Sequence, residues 1–451
     1  MTKAAEIASF FKKTCFYSLC VLWVALTFSS ALVEISFAVA LAAWLIWKTQ
    51  TRSGFFAPIP KAVWVPLLGF VLLAVLSYFW SEYPKQSGRG ILKVLQQVMI
   101  FWMVMDVFSS FKNLRPFEIV FCLLFYVVLG NSFYQYAFGK DLIRGFTTEA
   151  ASAGVRVSGS FKTYGQLGSY LISTIPLFIV LGFKGIRLKK DTLRFLLAFA
   201  GTAGGLIVLF LTRSRGAFLA FLLGCVFLLI IKRRWIPLLV LGGIALGSFF
   251  ILPRGMMIHL DKDGKEQSLV ERYYLWDRAV HVIKVKPWGG TGINTYTAAH
   301  AKYDKTQNWR VRGYYAHNGY LQLAAETGLP CLFFFLLFLF QYLRLLFKPH
   351  EGSSPLGGGA PLLGIGIGLI NFLLLVLVDT SLHNPQPAMM FWFLLGLGRA
   401  YINIAGPNRQ TVSSNRMKNG FSPKRILLPA WAQTVRCFLL RSSGESFLPA
   451  F

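Results

Sequence analysis

Two histidine–asparagine pairs stand where this chain could carry out acid–base chemistry. His317 and Asn318 open the segment HNGYLQLAAETG, and His383 and Asn384 follow Asp379. An imidazole at a helix N-terminus tends to stay neutral because the helix dipole disfavours its protonated form, and a neutral imidazole accepts protons. The pattern predicts His317 as a general base and Asn318 as the N-cap of the following helix. A histidine that only forms an interfacial hydrogen bond is the structural alternative.

Arginines in three other segments are the candidate anion ligands. Arg156 begins RVSGSFKTYGQLGSYL, Arg213 and Arg215 flank a turn in LTRSRGAFLAF, and Arg272 begins RYYLWDRAVHVIKVKPWGGTGINTY. Guanidinium groups pair well with phosphate oxygens, and a helix N-terminus offers free N–H groups to an anion. The turn and the helix that Gly216 opens therefore predict a diphosphate site. Each arginine of the turn, taken alone, could instead be a side chain that reaches up to the membrane surface. The sequence leaves open which of the two faces the site.

Glu326 lies about two turns beyond His317 in the same predicted helix. An ionised carboxylate inside a membrane helix is costly unless it is paired, so we expect an arginine partner or a structural hydrogen bond. Glu326, Asn318 and His383 are predicted to support the site. The sequence has no HExxH-like cluster, and it predicts neither a metal nor another cofactor.

The composition defines the scaffold that must position these residues. Of 451 residues, 55% are hydrophobic and 14% are charged, and the mean hydropathy is +0.55. Apolar blocks of about 17 to 25 residues recur, which is the length that a helix needs to cross a bilayer. Because lipid cannot satisfy open backbone groups, these blocks predict an all-α polytopic membrane protein.

About twelve transmembrane helices are predicted from these blocks. Their approximate ranges are 15–29, 31–47, 63–80, 90–108, 117–137, 166–183, 194–211, 216–231, 236–252, 317–342, 360–379 and 387–404. Ser29, Ser30 and Glu34 favour a hairpin between the first two helices over one long tilted helix. The predicted organisation is a cytoplasmic N-terminus at 1–14, nine spans within 15–252, a large partly helical loop at 253–316, three spans within 317–404 and a basic tail at 405–451.

Charge orients this scaffold in the membrane. The formal net charge is +28, and alternate short connections are basic, with residues such as Lys48, Lys61, Lys184 and Arg344. The positive-inside rule places these connections and both termini in the cytoplasm. No RNA- or DNA-binding module is visible, so the charge does not predict a nucleic-acid partner.

The large loop carries positive charge on the opposite side, where topology does not require it. Its basic residues, which outnumber its acidic ones, are Arg254, Lys262, Lys265, Arg272, Arg278, Lys284, Lys286, Lys302, Lys305, Arg310 and Arg312. Loops of about 60 residues contribute little to orientation, so the charge needs another explanation. Solvation of a small surface domain is one explanation, and an anionic ligand is the other.

The motifs RVSGSF, TRSRGAF, RYYLWDRAVHVIKVKPWGGTGINTY and HNGYLQLAAETG, in this order and on one side of the membrane, resemble those of the bacterial O-antigen ligase and O-antigen polymerase family. The resemblance spans residues 156 to 342. Members of that family transfer a saccharide from undecaprenyl diphosphate to an acceptor at the periplasmic face, with no metal. In the ligases the acceptor is lipid A-core.

The resemblance implies roles for particular residues. Arg156, Arg213 or Arg215, and Arg272 match arginines that hold the carrier diphosphate, and His317 matches a histidine that activates the acceptor hydroxyl. It also implies a multi-pass protein of the bacterial inner membrane with its active site facing the periplasm. The implied partners are an undecaprenyl-diphosphate-linked saccharide, lipid A-core or another glycan acceptor, and membrane lipid.

Two other functions remain as alternatives to the ligase that we favour. A polymerase of the same family would join carrier-linked repeat units to one another. A transporter would draw on ionisable residues near the midplane of the membrane. Asp106 and Asp379 are the few candidates for such a role, and both lie near the ends of predicted helices.

Overall fold

Helices make up most of the regular structure of the protein. A computed structural model describes residues 3–51, 54, 59–110, 114–151, 154–187, 192–231, 267–303, 314–348 and 359–405. The predicted span at 236–252, the first part of the large loop and almost all of the predicted tail lie outside these residues.

The described residues form fourteen helices and one short β-ribbon. The helices are α1 (Lys3–Phe28), α2 (Ser30–Thr51), α3 (Lys61–Leu76), α4 (Pro84–Ser109), α5 (Arg115–Phe138), α6 (Tyr164–Arg187), α7 (Thr192–Leu211), α8 (Arg215–Ile231), α9 (Gln267–Val285), α10 (Tyr296–Tyr303), α11 (Gly319–Thr327), α12 (Leu329–Phe347), α13 (Gly359–Val376) and α14 (Pro385–Ala405). Strands β1 (Glu149–Ala151) and β2 (Gly154–Arg156) pair antiparallel between α5 and α6.

Five described helices are long and apolar enough to cross a membrane, namely Ala4–Phe28, Ser30–Thr51, Pro84–Ser109, Arg115–Phe138 and Leu329–Phe347. Shorter apolar helices cover Lys61–Leu76, Tyr164–Val180, Phe195–Leu211, Arg215–Phe227 and Pro361–Val376. The predicted all-α polytopic class is confirmed, and α9 and α10 show that the large loop is partly helical. The number of twelve spans stays a prediction.

Ser29 separates the first two helices, as the predicted hairpin requires. The Ser29 hydroxyl accepts a hydrogen bond from the backbone N–H of Leu32 at 3.3 Å, so it satisfies one of the free donors in the first turn of α2. The two helices then pack along their lengths. The alternative of one long tilted helix is therefore wrong.

A buried amide joins α6 to α13 at a proline. Pro176 lies inside α6 and has no N–H, so the carbonyl of Ile172, one turn earlier, loses its helical donor. The fully buried side chain of Asn371 on α13 donates to that carbonyl at 2.8 Å. This bond satisfies a backbone group that lipid could not satisfy, and it fixes α6 against α13.

The predicted span at 317–342 is two helices and not one. Gly328, with a φ of 83°, separates α11 from α12. The loop that follows α9 supplies the missing backbone partners at this break. The N–H groups of Thr291 and Gly292 donate to the carbonyls of Ala325 and Glu326 at 3.0 and 2.8 Å. Hydropathy alone does not reveal this break because both halves of the segment are apolar.

Candidate functional site

The candidate residues of the sequence lie at one end of the helix bundle, which we call the His317 end. It contains the C-terminal ends of α3, α5, α7 and α13 and the first turns of α4, α6, α8 and α14. Backbone hydrogen bonds join its segments. The N–H of Val157, next to Arg156, donates to the carbonyl of Leu211 at 3.2 Å, and the N–H of Gly319 donates to the carbonyl of Asp379 at 3.0 Å. Segments far apart in sequence thus meet at this end.

His317 has an unusual backbone conformation directly before α11. Its φ is 47°, in the left-handed region that side chains with a Cβ rarely occupy. The predicted N-cap follows at once, because the Asn318 side chain accepts from the N–H groups of Tyr320 and Leu321 at 3.1 and 3.0 Å. The Trp276 indole N–H donates to the carbonyl of His317 at 3.4 Å. Strained residues of this kind concentrate at functional sites, where the surrounding structure holds them in place.

Burial keeps the His317 imidazole neutral. Desolvation is the main reason that its pKa lies below the ordinary histidine value, and the positive charge of Arg272 lowers the pKa further. The carboxylates of Asp379 and Glu271 act in the opposite direction. The predicted neutral base is consistent with this environment, although burial and not the helix dipole is its main cause. The same electrostatic interactions place Arg272 and Asp379 near the imidazole.

Asp379 is the residue at this site that the sequence suggested only for a transporter. Its carboxylate accepts a hydrogen bond from the Ser381 hydroxyl, and its backbone carbonyl holds the first residue of α11. Its second carboxylate oxygen lies 3.8 Å from the position that a Cβ on Gly165 would occupy, so the start of α6 is also close. The sequence signal that could have predicted this role is the position of Asp379 shortly before the His383–Asn384 pair.

Arg156 ends strand β2 and stacks on an aromatic ring. Its guanidinium carbon lies 4.6 Å from the centre of the Tyr164 ring, at the start of α6. Its Nε atom is buried and has no hydrogen-bond partner among the described residues. Gln135 of α5 holds the following turn, because its side-chain oxygen accepts from the N–H groups of Ser158 and Gly159 at 2.9 and 2.8 Å. The guanidinium is thus positioned by a ring and a fixed turn.

Arg213 and Arg215 differ in environment. Arg213 is half-buried and lies in the non-helical connection between α7 and α8. Its φ is 51°, so its backbone is left-handed, like that of His317. Arg215 is exposed and is the first residue of α8. Ser214 caps that helix, since its hydroxyl accepts from the N–H of Ala217 at 3.4 Å. The predicted turn and helix N-terminus are both present.

The sequence predicted either an arginine partner or a structural hydrogen bond for Glu326. In the structure its carboxylate forms hydrogen bonds. It is 1% exposed, and its carboxylate accepts from the backbone N–H of Asn294 at 2.7 Å and of Tyr296 at 3.2 Å. The Gln322 side chain donates to it at 3.1 Å. Because Glu326 lies in α11, before the break at Gly328, the expectation of a carboxylate inside one continuous membrane helix is wrong.

His383 links the two ends of α11. One ring nitrogen lies 3.3 Å from the carbonyl of Gly319, and the other lies 3.9 Å from the Glu326 carboxylate. The structure therefore brings His317, Arg272 and Asp379 together at the start of α11. Glu326 lies towards the other end of the helix, where it holds the loop before α10.

Comparison with known proteins supports the resemblance noted in the sequence. Residues 200–336 match a family model described as O-Antigen ligase. This range includes Arg213, Arg215, Arg272 and His317, whereas Arg156 precedes it and His383 follows it. The chain is also 23% identical over 387 residues to the "Exopolysaccharide production protein ExoQ" of Rhizobium meliloti (strain 1021), an alignment that covers 79% of this chain and 80% of that protein.

Proposed function

We propose that this chain, a multi-pass membrane enzyme of the O-antigen ligase and polymerase type, transfers a saccharide from undecaprenyl diphosphate to lipid A-core without a metal. The reaction would take place at the periplasmic face of the bacterial inner membrane. The observation that carries the proposal is a half-buried His317 held in a left-handed backbone conformation beside Arg272 and Asp379, where burial lowers its pKa. The division into spans, large loop and tail given above is part of the same proposal.

In this mechanism His317 takes the proton from the acceptor hydroxyl. The oxygen then attacks the anomeric carbon of the donor sugar, and the bond between that carbon and the diphosphate oxygen breaks. The diphosphate leaves with the bonding electrons, and Arg156, Arg272 and either Arg213 or Arg215 stabilise its charge. Direct attack of this kind inverts the anomeric configuration.

Asp379 would stabilise the imidazolium that forms on His317. A carboxylate near an imidazole favours its protonated form, so it assists once the proton has been accepted. Asn318 and His383 would hold the start of α11 in place. Glu326 would hold the loop before α10, since its carboxylate accepts from the N–H groups of Asn294 in that loop and of Tyr296, the first residue of α10.

Replacement of His317 by asparagine tests the base. Asparagine tolerates the left-handed backbone but cannot accept the proton, so we expect lipopolysaccharide without polymer in a strain that carries only His317→Asn. The matched control is His281→Asn on α9, a half-buried histidine outside the site, which should leave polymer-capped lipopolysaccharide on the blot. Full capping with His317→Asn would exclude the proposed role.

A polymerase is the second candidate, because the relative noted above is named for exopolysaccharide production. The products that accumulate in a deletion strain distinguish the two functions. Carrier-linked full-length polymer indicates a missing ligase, whereas carrier-linked single repeats indicate a missing polymerase.

A transporter is less well supported by the two acidic residues that suggested it. Asp106 forms an ion pair with Lys48 at 2.6 Å near the opposite end of the bundle from His317. Asp379 lies beside His317 instead of near the middle of a helix. Ion-coupled uptake by the purified protein in liposomes would revive this alternative.

A further inference from the structure

A second group of basic residues lies at the His317 end, outside the arginine set. Lys85, Arg89 and Lys93 follow one another at intervals of four residues in α4, so they share one face of that helix. We call them the basic stripe. Lys85 and Arg89 are exposed, and Lys93 is half-buried, where it donates to the Asn294 side chain at 3.2 Å.

Neighbouring helices show at what depth the stripe lies. The N–H of Ile293 donates to the Ser77 hydroxyl at the end of α3 at 3.1 Å, and the adjacent Asn294 packs against Gly90 of α4. Gly90 is therefore level with the end of α3. The first turns of α4 project beyond that level, and Lys93 lies about one turn below it. Because the predicted membrane span of this helix is 90–108, the stripe crosses the expected edge of the hydrocarbon, where lipid headgroups lie.

Two further lysines extend the charge of the stripe. Lys286 and Lys302, on either side of the loop before α10, share the single carboxylate of Glu82 at 2.8 and 2.9 Å. Glu82 lies two residues before the start of α4. Glu82, together with Glu34, which accepts from Gln96 of α4, opposes five basic side chains, so the surface is positive.

Exposed leucines lie on α4 below the stripe, beside the Gln96 side chain, which donates to the Glu34 carboxylate at 2.9 Å. Leu92 is 68% exposed and Leu95 is 40% exposed, and both follow Arg89 along the helix. If the stripe holds the phosphate of a lipid, the acyl chains of that lipid would lie beside these leucines. This arrangement fits a lipid with an anionic headgroup better than it fits a free anion.

The stripe is separated from His317 by the length of α11. His317 precedes the first residue of α11, whereas the Glu326 carboxylate near its last residue binds the N–H of Asn294, which contacts Lys93. At 1.5 Å per residue, the seven-residue rise from Gly319 to Glu326 is about 10 Å along the helix axis. The stripe is therefore distinct from the cluster of His317, Arg272 and Asp379.

We propose that the basic stripe binds the phosphate-bearing headgroup of a lipid, and that this lipid is the acceptor of the transferred saccharide. The second part rests on the proposed function, since both lipid A-core and a carrier-linked saccharide are lipids with phosphate. The arginine set then holds the donor diphosphate, and the stripe holds the acceptor in the same leaflet. Both substrates are then anchored in lipid on the side of the membrane that carries His317.

Lipid binding by the full-length protein tests the site. Native mass spectrometry of the detergent-solubilised protein measures the affinity for added phosphatidic acid, with phosphatidylcholine as the neutral probe. The triple variant Lys85→Gln/Arg89→Gln/Lys93→Gln should weaken binding of the tightest phosphatidic acid by roughly tenfold or more, since each lost contact to a charged group weakens binding by about that factor. The matched control is Lys61→Gln/Arg344→Gln/Lys348→Gln, which removes three exposed charges at the other end and should keep this affinity.

The outcomes separate this inference from the proposed function. Unchanged phosphatidic acid affinity in the stripe variant overturns the lipid site, and so does full displacement of the lipid by inorganic phosphate. In a transfer assay the stripe variant should raise the KM for the acceptor and leave the KM for the donor unchanged. His317→Asn should abolish transfer and keep lipid affinity. A wild-type protein that binds phosphatidic acid through the stripe but transfers nothing would retain the lipid site and remove both the acceptor role and the proposed function.

Discussion

The His317 imidazole acts as a base only while it is neutral, so its pKa sets the acid limit of transfer. Burial and Arg272 lower that pKa below 6.5, the ordinary histidine value. Activity should therefore persist as the pH falls to 6.5 and decline only at lower pH, as the imidazole becomes protonated. The measurement is kcat for saccharide transfer by the purified protein at saturating donor and acceptor across this range.

Variants of the neighbouring charges should move that acid limb in opposite directions. Asp379→Asn removes an interaction that raises the pKa of His317, so the limb should shift to lower pH. Arg272→Gln removes one that lowers the pKa, so the limb should shift to higher pH while the KM for the donor rises. Shifts in the same direction, or none, would contradict the placement of His317 near both residues.

Single residues differ in how well the sequence predicts them. The N-cap role of Asn318 could be predicted because capping depends on residue type and on the next few positions. The proximity of Asp379 to His317 could not be predicted, because it depends on how α13 packs against α11. The left-handed conformation of His317 could not be predicted either, because only a few per cent of non-glycine residues adopt it, even though histidine is enriched among them.

At the scale of elements, the Glu326 carboxylate of α11 accepts hydrogen bonds from two backbone N–H groups around the start of α10. Glu326→Gln exchanges one acceptor oxygen for an amide group, so either the Asn294 or the Tyr296 N–H loses its partner inside the protein. We expect a loss of about 1–3 kcal/mol in stability and faster proteolysis of the loop before α10. Limited proteolysis in detergent, followed by mass spectrometry of the fragments, measures this.

Glu82→Gln is the control for that experiment. Glu82 is also acidic and close to the same loop, but its carboxylate is partly exposed and binds lysines, which water can solvate after the change. Exposed ion pairs contribute little to stability. Equal proteolysis rates for the two variants would show that Glu326 has no special role in holding the loop.

The contact between α6 and α13 gives a second prediction at this scale. Asn371→Ala leaves the Ile172 carbonyl without its donor and should lower the stability of the protein by about 1 kcal/mol, measured as the thermal midpoint in detergent. Pro176→Ala restores a backbone N–H to that carbonyl. The cost of Asn371→Ala should therefore be smaller in the Pro176→Ala background, and an equal cost in both backgrounds would exclude the proposed bond.

Hydrophobic length predicted most helices but not how they connect. The blocks at 15–29 and 31–47 gave α1 and α2 because apolar length and the serines between them are local signals. The break at Gly328 was missed because its backbone partners come from Thr291 and Gly292, far away in sequence. The ribbon of β1 and β2 was missed for a similar reason, since three-residue strands leave no periodic pattern.

At the scale of the whole molecule, the two ends of the bundle differ in what their charges do. Near the end opposite His317, Lys48 and Asp106 form a nearly buried pair between α2 and α4, and the Trp44 indole donates to the same carboxylate. At the His317 end, Arg156 lies against an aromatic ring and has no carboxylate partner in the described part of the chain. Lys48 thus stabilises helix packing at one end, whereas Arg156 at the other end is positioned by an aromatic ring.

The proposed orientation can be tested with single cysteines at the two ends. Trp288, which is 80% exposed, lies at the His317 end, and the exposed Lys348 follows α12 at the other. A membrane-impermeant maleimide should label Trp288→Cys in intact spheroplasts and Lys348→Cys only after the membrane is disrupted, because the positive-inside rule places the Lys348 end in the cytoplasm. Cys437 is first replaced by serine, and the native helical cysteines, which are buried or half-buried, serve as the background. The reverse labelling pattern would place His317 in the cytoplasm, where periplasmic transfer to lipid A-core is impossible.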